Sequence, residues 1–223
     1  MRRSSRSERI VILGKSGSGK SSLAKALARS ASRVLVFDPI GEYRAPVRIH
    51  DDPQRLYAFL CGSRAFQVAY VPGEPLDRQF NLVCRMAYVT GHMTFIADEL
   101  GQFCYANWTG PGFSKLLRQG RHNGVTTISI AQRAADIPKT ATANMSRLFA
   151  FNSSEPGDLA YYRSRLGADA MRIPNLPIFP PTSTGIEWND RGEKRLVDVD
   201  PVRQTFRFRP MGSHQAPAIA DLA

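Results

Sequence analysis

The sequence predicts an α/β fold, a mainly parallel sheet with helices on both faces and a β-hairpin added near the C-terminal end. Three observations carry that expectation. Short, fully apolar runs alternate with helical stretches over residues 9–170, and strands without a polar face belong to sheets covered on both sides. A glycine- and serine-rich loop separates the first apolar run from the first helical stretch, giving a strand–loop–helix unit. Two further β-like runs flank Asn189-Asp190-Arg191-Gly192, a sequence suited to a hairpin turn.

Taken in order, residues 10–13 form the first strand and the helix after the loop ends near Ser30. Residues 34–37 form a second strand that stops at Asp38-Pro39, where proline disfavours continuation. Strands are expected again at 66–71, 94–97, 125–130 and 148–151, with helices at 53–60, 76–88, 113–121, 134–145 and 156–166. After Ala168 the texture turns proline-rich and extended, with Pro174, Pro177, Pro180 and Pro181, before the hairpin runs at 185–188 and 195–199. The expected division is a short basic arm (1–8), an α/β core (9–170), an extended segment with its hairpin (171–210) and a small-residue tail (211–223).

A chain of 223 residues suits one α/β domain with small additions. Its composition, 43% hydrophobic and 22% charged, is that of a soluble globular protein, and no run approaches the roughly 18 apolar residues that a membrane span needs. Cys61, Cys84 and Cys104 form no CxxC pair and lie beside no histidine at metal spacing, so neither a disulfide framework nor a zinc site is expected and a reducing cytoplasm is the simplest setting. The net charge of +11 favours a polyanionic partner, because lysine and arginine gain affinity by releasing counterions from phosphates.

Gly14-Lys15-Ser16-Gly17-Ser18-Gly19-Lys20-Ser21 matches G-x-x-x-x-G-K-[ST] in full, and Ser22 follows it into the helix. Glycines let backbone N–H groups turn inward around phosphate oxygens, and the helix that starts there adds its positive dipole end. Lys20 is expected to reach the β and γ phosphates of ATP, and the Ser21 hydroxyl to ligate magnesium. The apolar run Thr94-Phe95-Ile96-Ala97 ends in Asp98-Glu99. An acid at such a strand end can hold magnesium and a second can orient the attacking water, so Asp98 is assigned to the metal and Glu99 to the water. No N-K-x-D segment accompanies Asp98-Glu99-Leu100-Gly101, which disfavours a GTPase, and Glu99 favours hydrolysis over phosphotransfer.

Gln132, at the end of the strand expected at 125–130, is placed to sense the γ phosphate. Arg118 and Arg121 precede that strand. They are explained either by the preference for cations at a helix C-terminus or, for Arg121, by insertion into the nucleotide site of a neighbouring subunit.

Five blocks now converge: the phosphate loop; Phe37-Asp38-Pro39-Ile40-Gly41-Glu42-Tyr43; Ile96-Ala97-Asp98-Glu99; Gly120-Arg121-His122-Asn123-Gly124 with Ile130-Ala131-Gln132-Arg133; and Asn144-Met145-Ser146-Arg147-Leu148-Phe149. In order and spacing the chain resembles the FtsK–HerA superfamily of ring-forming DNA-pumping ATPases. The resemblance implies a RecA-like P-loop core, ATP with magnesium, a homo-oligomeric ring such as a hexamer, and contacts between subunits at the nucleotide. It places Lys20, Ser21, Asp98, Glu99 and Gln132 in the roles given above and puts Arg121 at the family's trans arginine, with Arg147 and Arg118 as alternatives. Lacking the membrane helices, winged domain or barrel of the cellular pumps, the chain is similar to the compact genome-packaging ATPases of tailless, membrane-containing viruses.

That resemblance implies an ATP-driven double-stranded DNA translocase in the host-cell cytoplasm, associated with the virion and anchored by a capsid or membrane vertex protein. The alternatives are an ATPase for filamentous-phage-type virion assembly or plasmid DNA transfer, and a nucleotide-gated binding module. For DNA contact the sequence offers the loop Asn107-Trp108-Thr109-Gly110-Pro111-Gly112 with Lys115 and Arg118 beyond it, although a tryptophan there more often packs on its own domain. A second offer is the alternation of Arg203, Thr205, Arg207 and Arg209 with Gln204, Phe206 and Phe208, which a charged edge strand explains equally well.

Overall fold

In a computed structural model the chain is described over residues 7–212. Most of the basic arm, most of the tail and His214 lie outside that range. The elements are β1 (Arg9–Leu13), α1 (Lys20–Ala28), β2 (Arg33–Phe37), β3 (Val47–His50), α2 (Pro53–Gly62), β4 (Phe66–Val71), α3 (Leu76–Thr90), β5 (Thr94–Ala97), α4 (Pro111–Gln119), β6 (Thr126–Ala131), α5 (Lys139–Asn144), β7 (Arg147–Ala150), α6 (Pro156–Leu166), β8 (Ser183–Asn189), β9 (Lys194–Asp200) and β10 (Thr205–Arg209).

All ten strands join one sheet in the order β10-β9-β8-β7-β1-β6-β5-β2-β4-β3. From β7 to β3 every pairing is parallel. The hairpin β8–β9 and strand β10 extend it antiparallel, with β8 running along β7 from Arg147↔Asn189 to Ala150↔Ile186. The expected hairpin is therefore a continuation of the central sheet.

Alternation along the strands divides the core. Val11, Leu13, Leu35, Phe37, Phe95 and Ala97 point to one side, against apolar residues of α2 to α6. Ile10, Ile12, Val34, Val36 and Ile96 point to the other, against Leu23, Ala24 and Ala28 of α1. Both faces are covered, one by five helices and the other by α1 with the phenylalanines of β10 packed beside it.

Several local expectations are corrected. The single helix expected at 134–145 is a short 3-10 turn, Ala134–Asp136, followed by α5. Pro138 forces the break: it has no N–H to donate, and it holds Ile137 in an extended conformation. The segment expected to run extended beyond Ala168 is 3-10 helical over Gly167–Asn175, burying Ala170 and Ile173, and the fixed φ of Pro174 is compatible with that geometry. β3 had no sequence expectation, because four residues alternating apolar and polar give too short a signal.

The alternation expected from Arg203 to Arg209 begins only at Thr205, since Gln204 adopts a left-handed φ of 51°. Phe206 and Phe208 pack edge to face, with centroids 5.2 Å apart. Arg207 and Arg209 both bind the buried carboxylate of Asp198 on β9. Those two arginines complete an internal ion network.

Candidate nucleotide site

The strands β1, β6, β5 and β2 are neighbours and parallel, so they end at one edge of the sheet. The residues that follow them meet there: Gly14 after β1, Gln132 after β6, Asp98 after β5 and Asp38 after β2. Ligand sites of open parallel sheets form outside the carboxyl ends of the strands for this reason.

The phosphate loop leaves β1 and enters α1 through Gly19, which holds a left-handed φ of 91° as the residue before the helix. Gly14 and Gly17 also have positive φ, 150° and 74°. A Cβ on Gly14 would lie 2.6 Å from Cβ of Phe151, so only glycine lets the loop pass the exit of β7 at this distance. The loop is tied to that exit by the Lys15 N–H, which donates to the Asn152 carbonyl at 3.0 Å. Lys15, Ser16 and Gly17 are exposed, Ser18 and Lys20 buried, and Gly19, Ser21 and Ser22 half-buried.

Lys20 Nζ donates to the Lys15 carbonyl at 3.0 Å, folding the ammonium back over its own loop. Burial lowers its pKa, while the charges of Glu99 and Asp98 pull the other way. The Ser18 hydroxyl is buried and has no hydrogen-bond partner among the described residues. A buried hydroxyl without a partner calls for one, and phosphate oxygens would supply its acceptor.

The Ser21 hydroxyl donates to Asp98 Oδ2 at 3.1 Å, bringing the two expected magnesium ligands together. Asp98 Oδ1 accepts the Glu99 N–H at 2.9 Å. Burial raises the Asp98 pKa, against the lowering effect of these two hydrogen bonds. The pair presents hard oxygen donors, the chemistry that suits magnesium with phosphates and waters completing the shell. Magnesium bound there would neutralise charge on the phosphate chain. Glu99 sits at φ 50°, ψ 48°, a left-handed conformation that costs a non-glycine residue energy and is concentrated at functional sites. Its carboxylate accepts both hydrogen bonds from the Gln132 side-chain amide, at 3.3 and 3.2 Å. Lys20, Ser21, Asp98, Glu99 and Gln132 are thus assembled in one place from two strand ends and one helix.

Arg121 is not among them. It lies in the 3-10 turn Gly120–Asn123, at the opposite end of the sheet, where it lines a cleft of about 710 Å³ with Arg9, Arg33, His92 and His122. No acid lines that cleft among the described residues. Arg121 cannot reach its own phosphate loop and can meet only phosphates carried by another molecule. Arg147 is instead held between Glu8, at 3.0 Å, and Glu187, at 2.6 Å, with little exposure. Arg118 is exposed at the end of α4. Trp108 is 42% exposed in a tight loop closed by paired backbone hydrogen bonds with Tyr105.

The residues after β2 enter the sequence resemblance without a role of their own. Both oxygens of Asp38 are used to fold that loop, accepting the N–H groups of Gly41, Glu42 and Tyr43 at 2.9, 3.2 and 2.8 Å. The loop then presents Glu42 and Tyr43 to a cavity of about 110 Å³ shared with Ser21, Lys25, Asp98 and Glu99. Sequence reasoning missed Lys25, Glu42 and Tyr43 because no spacing rule links them to the phosphate loop; the Asp38-Pro39 strand stop was the available signal.

A phosphate loop at the carboxyl edge of a parallel sheet, with acid and amide at adjacent strand ends, defines the fold of the RecA-like P-loop ATPases. The family model described as the central domain of helicase HerA matches residues 6–58, which contain the phosphate loop and the Asp38 loop. The fold is similar to that of the genome-packaging NTPase B204 from Sulfolobus turreted icosahedral virus 2 in complex with AMPPCP, with a TM-score of 0.67 and 18% identity over 93% of this chain and 100% of that one. B204 of Sulfolobus turreted icosahedral virus, described as a DNA-packaging ATPase, aligns with a TM-score of 0.59 and 17% identity over 92% and 98% of the two chains. The plasmid coupling protein TrwB, with a bound GTP analogue, aligns at 0.53 and 11% identity, over 96% of this chain and 88% of that one. The family-model match bears out the resemblance to the FtsK–HerA superfamily, and the solved structures bear out the fold. No curated protein sequence matches this chain.

Proposed function

We propose that the chain is an ATP hydrolase that drives double-stranded DNA, serving as a genome-packaging motor. The observation that carries this reading is the linkage from Ser21 through Asp98 and Glu99 to Gln132 beside a complete phosphate loop. A nucleotide switch needs a phosphate cradle; it does not need an acid held in a strained backbone and bonded to a neighbouring strand's amide. In this reading Lys20 reaches the β and γ phosphates, Ser21 and Asp98 hold magnesium, Glu99 orients the attacking water, and Gln132 reports the state of the γ phosphate to β6.

Arg121 supports a ring. Its place at the far end of the sheet from its own phosphate loop suits head-to-tail association, which closes into a ring when the rotation allows. The load is inferred from the net charge of +11, and the proposed anchor is a capsid or membrane vertex protein. No helix among the described residues is long and apolar enough to cross a membrane. We assign the work to the host cytoplasm, with association with the virion during packaging.

The test is steady-state phosphate release with and without long double-stranded DNA, at low and moderate salt, for the wild type, Glu99→Gln and Arg121→Ala. DNA-stimulated release that disappears in both variants is expected. Release indifferent to DNA would remove the translocase reading, and a monomer whose turnover survives Arg121→Ala would remove the ring.

A further inference from the structure

Tyr43 carries a hydroxyl without a hydrogen-bond partner among the described residues. The residue is 6% exposed, its N–H is fixed on Asp38 Oδ2 at 2.8 Å, and the Lys25 ammonium lies 4.3 Å from its ring centroid. Backbone and ring are held, yet the buried hydroxyl makes no hydrogen bond among the described residues. Such a group forfeits its hydration without compensation, which native interiors rarely tolerate unless a partner arrives in the working state.

Tyr43 lines the cavity that also contains Ser21, Asp98 and Glu99. Two of the nearby acids are already engaged: Asp98 accepts from Ser21 and from the Glu99 N–H, and Asp38 from three backbone N–H groups. Burial first, then the charges of Asp98 and Asp38, keeps the phenol protonated. It therefore stays a neutral donor and acceptor beside the cavity.

What would enter this cavity is a divalent cation with its waters. No cluster of three or more His, Cys, Asp or Glu able to hold a metal occurs among the described residues, so Ser21 and Asp98 leave most of a coordination sphere to phosphates and water. Magnesium in phosphate sites keeps several waters, and polarised waters are strong hydrogen-bond donors that need acceptors around them. We propose that the Tyr43 hydroxyl accepts a hydrogen bond from a water in the coordination shell of the cation held by Ser21 and Asp98, making Tyr43 a positioning residue for the metal. The proposal rests on the nucleotide-site reading above.

Tyr43→Phe tests it, because phenylalanine keeps the ring under Lys25 and removes only the hydroxyl. Thermal unfolding of the ligand-free variant should match or exceed the wild type, since no partner is lost. ADP affinity in EDTA should be unchanged, while the magnesium concentration that half-saturates the metal-dependent gain in ADP affinity should rise about fivefold to tenfold, the weight of one net hydrogen bond. A lowered melting temperature would show that the hydroxyl already has a structural partner and would overturn the proposal. So would a magnesium midpoint within twofold of the wild type, or an equal loss of ADP affinity in EDTA. If the wild type itself shows no magnesium-dependent ADP binding, the nucleotide-site reading fails and Tyr43 falls with it, whereas a normal wild type with an indifferent variant sinks Tyr43 alone.

Discussion

The Gln132 side-chain amide donates to both oxygens of the Glu99 carboxylate, across the gap between the ends of two adjacent strands. One amide nitrogen shared between both oxygens orients the carboxylate and leaves lone pairs on each for water. Under the proposed function this contact aims Glu99 at the attacking water and links it to a residue that responds to the γ phosphate.

That relationship predicts coupled losses. Glu99→Gln should lower kcat by roughly a hundredfold or more, the weight of a positioned general base, while leaving ADP affinity near the wild-type value. Gln132→Ala should lower kcat less. In the double variant the losses should fall short of additivity, because both act through one contact. Single-turnover hydrolysis with a fluorescent phosphate sensor measures all three; strictly additive losses would dissociate Gln132 from Glu99.

Asp98 is expected to trade stability for metal binding. Its carboxylate is 9% exposed and its pKa is raised by burial. A raised folded-state pKa means that the charged form is disfavoured by folding: the cost is present above the raised pKa and vanishes below the unfolded value of about 3.9. Asp98→Asn should therefore raise the melting temperature of the ligand-free protein at neutral pH. The gain should shrink as pH falls through the raised pKa, and the variant should lose magnesium-dependent nucleotide affinity. Thermal scans from pH 4 to 8 decide it; a gain that does not depend on pH would refute the electrostatic cause.

The fold class was legible because its signals are redundant. Each parallel strand is apolar throughout, and the glycines of the phosphate loop leave a pattern that no other structure requires at that spacing. Glu99 and Gln132 were legible for the same reason, as polar residues ending apolar strands. What escaped depended on contacts distant in sequence. Tyr43 enters the site only because Asp38 folds the loop after β2 back over it, and nothing in the spacing from Gly14 to Tyr43 encodes that turn. Arg207 and Arg209 looked like surface charge because their partner, Asp198, belongs to the neighbouring strand. Pro138 was legible and was outweighed by helical composition on either side of it.

Asp158 should connect the sensor to the phosphate loop. It is 1% exposed and accepts the Ala134 N–H and the Ser153 hydroxyl, each at 2.9 Å, just beyond Gln132 on one side and Asn152 on the other. Asn152 in turn accepts the Lys15 N–H. Asp158→Ala strands the buried Ser153 hydroxyl, at a cost of about 1–3 kcal/mol, and the half-buried Ala134 N–H at less. It should lower both the melting temperature and kcat, whereas Asp158→Asn, which keeps a carbonyl for Ala134, should recover most of kcat. Equal kcat per folded molecule in the two variants would confine Asp158 to stability.

Gly14 and Gly17 separate two ways in which a phosphate loop can need glycine. At Gly17 nothing lies within 4 Å of the position a Cβ would take, so Gly17→Ala meets only the left-handed backbone penalty, about 1–2 kcal/mol. At Gly14 the added carbon would lie 2.6 Å from Phe151 Cβ and 3.2 Å from its carbonyl carbon, atoms fixed by a backbone hydrogen bond from the Phe151 N–H to Leu13 at 2.8 Å. Neither β1 nor β7 can yield without breaking their pairing, so Gly14→Ala must move the phosphate loop itself. It should lose roughly 1–3 kcal/mol from overpacking and also most of its nucleotide affinity. Gly17→Ala should keep a larger share of that affinity despite its place in the same motif. Urea unfolding and ADP titration of the pair measure both quantities; a Gly14→Ala protein that binds ADP as tightly as Gly17→Ala would show that the loop does not depend on its passage against Phe151.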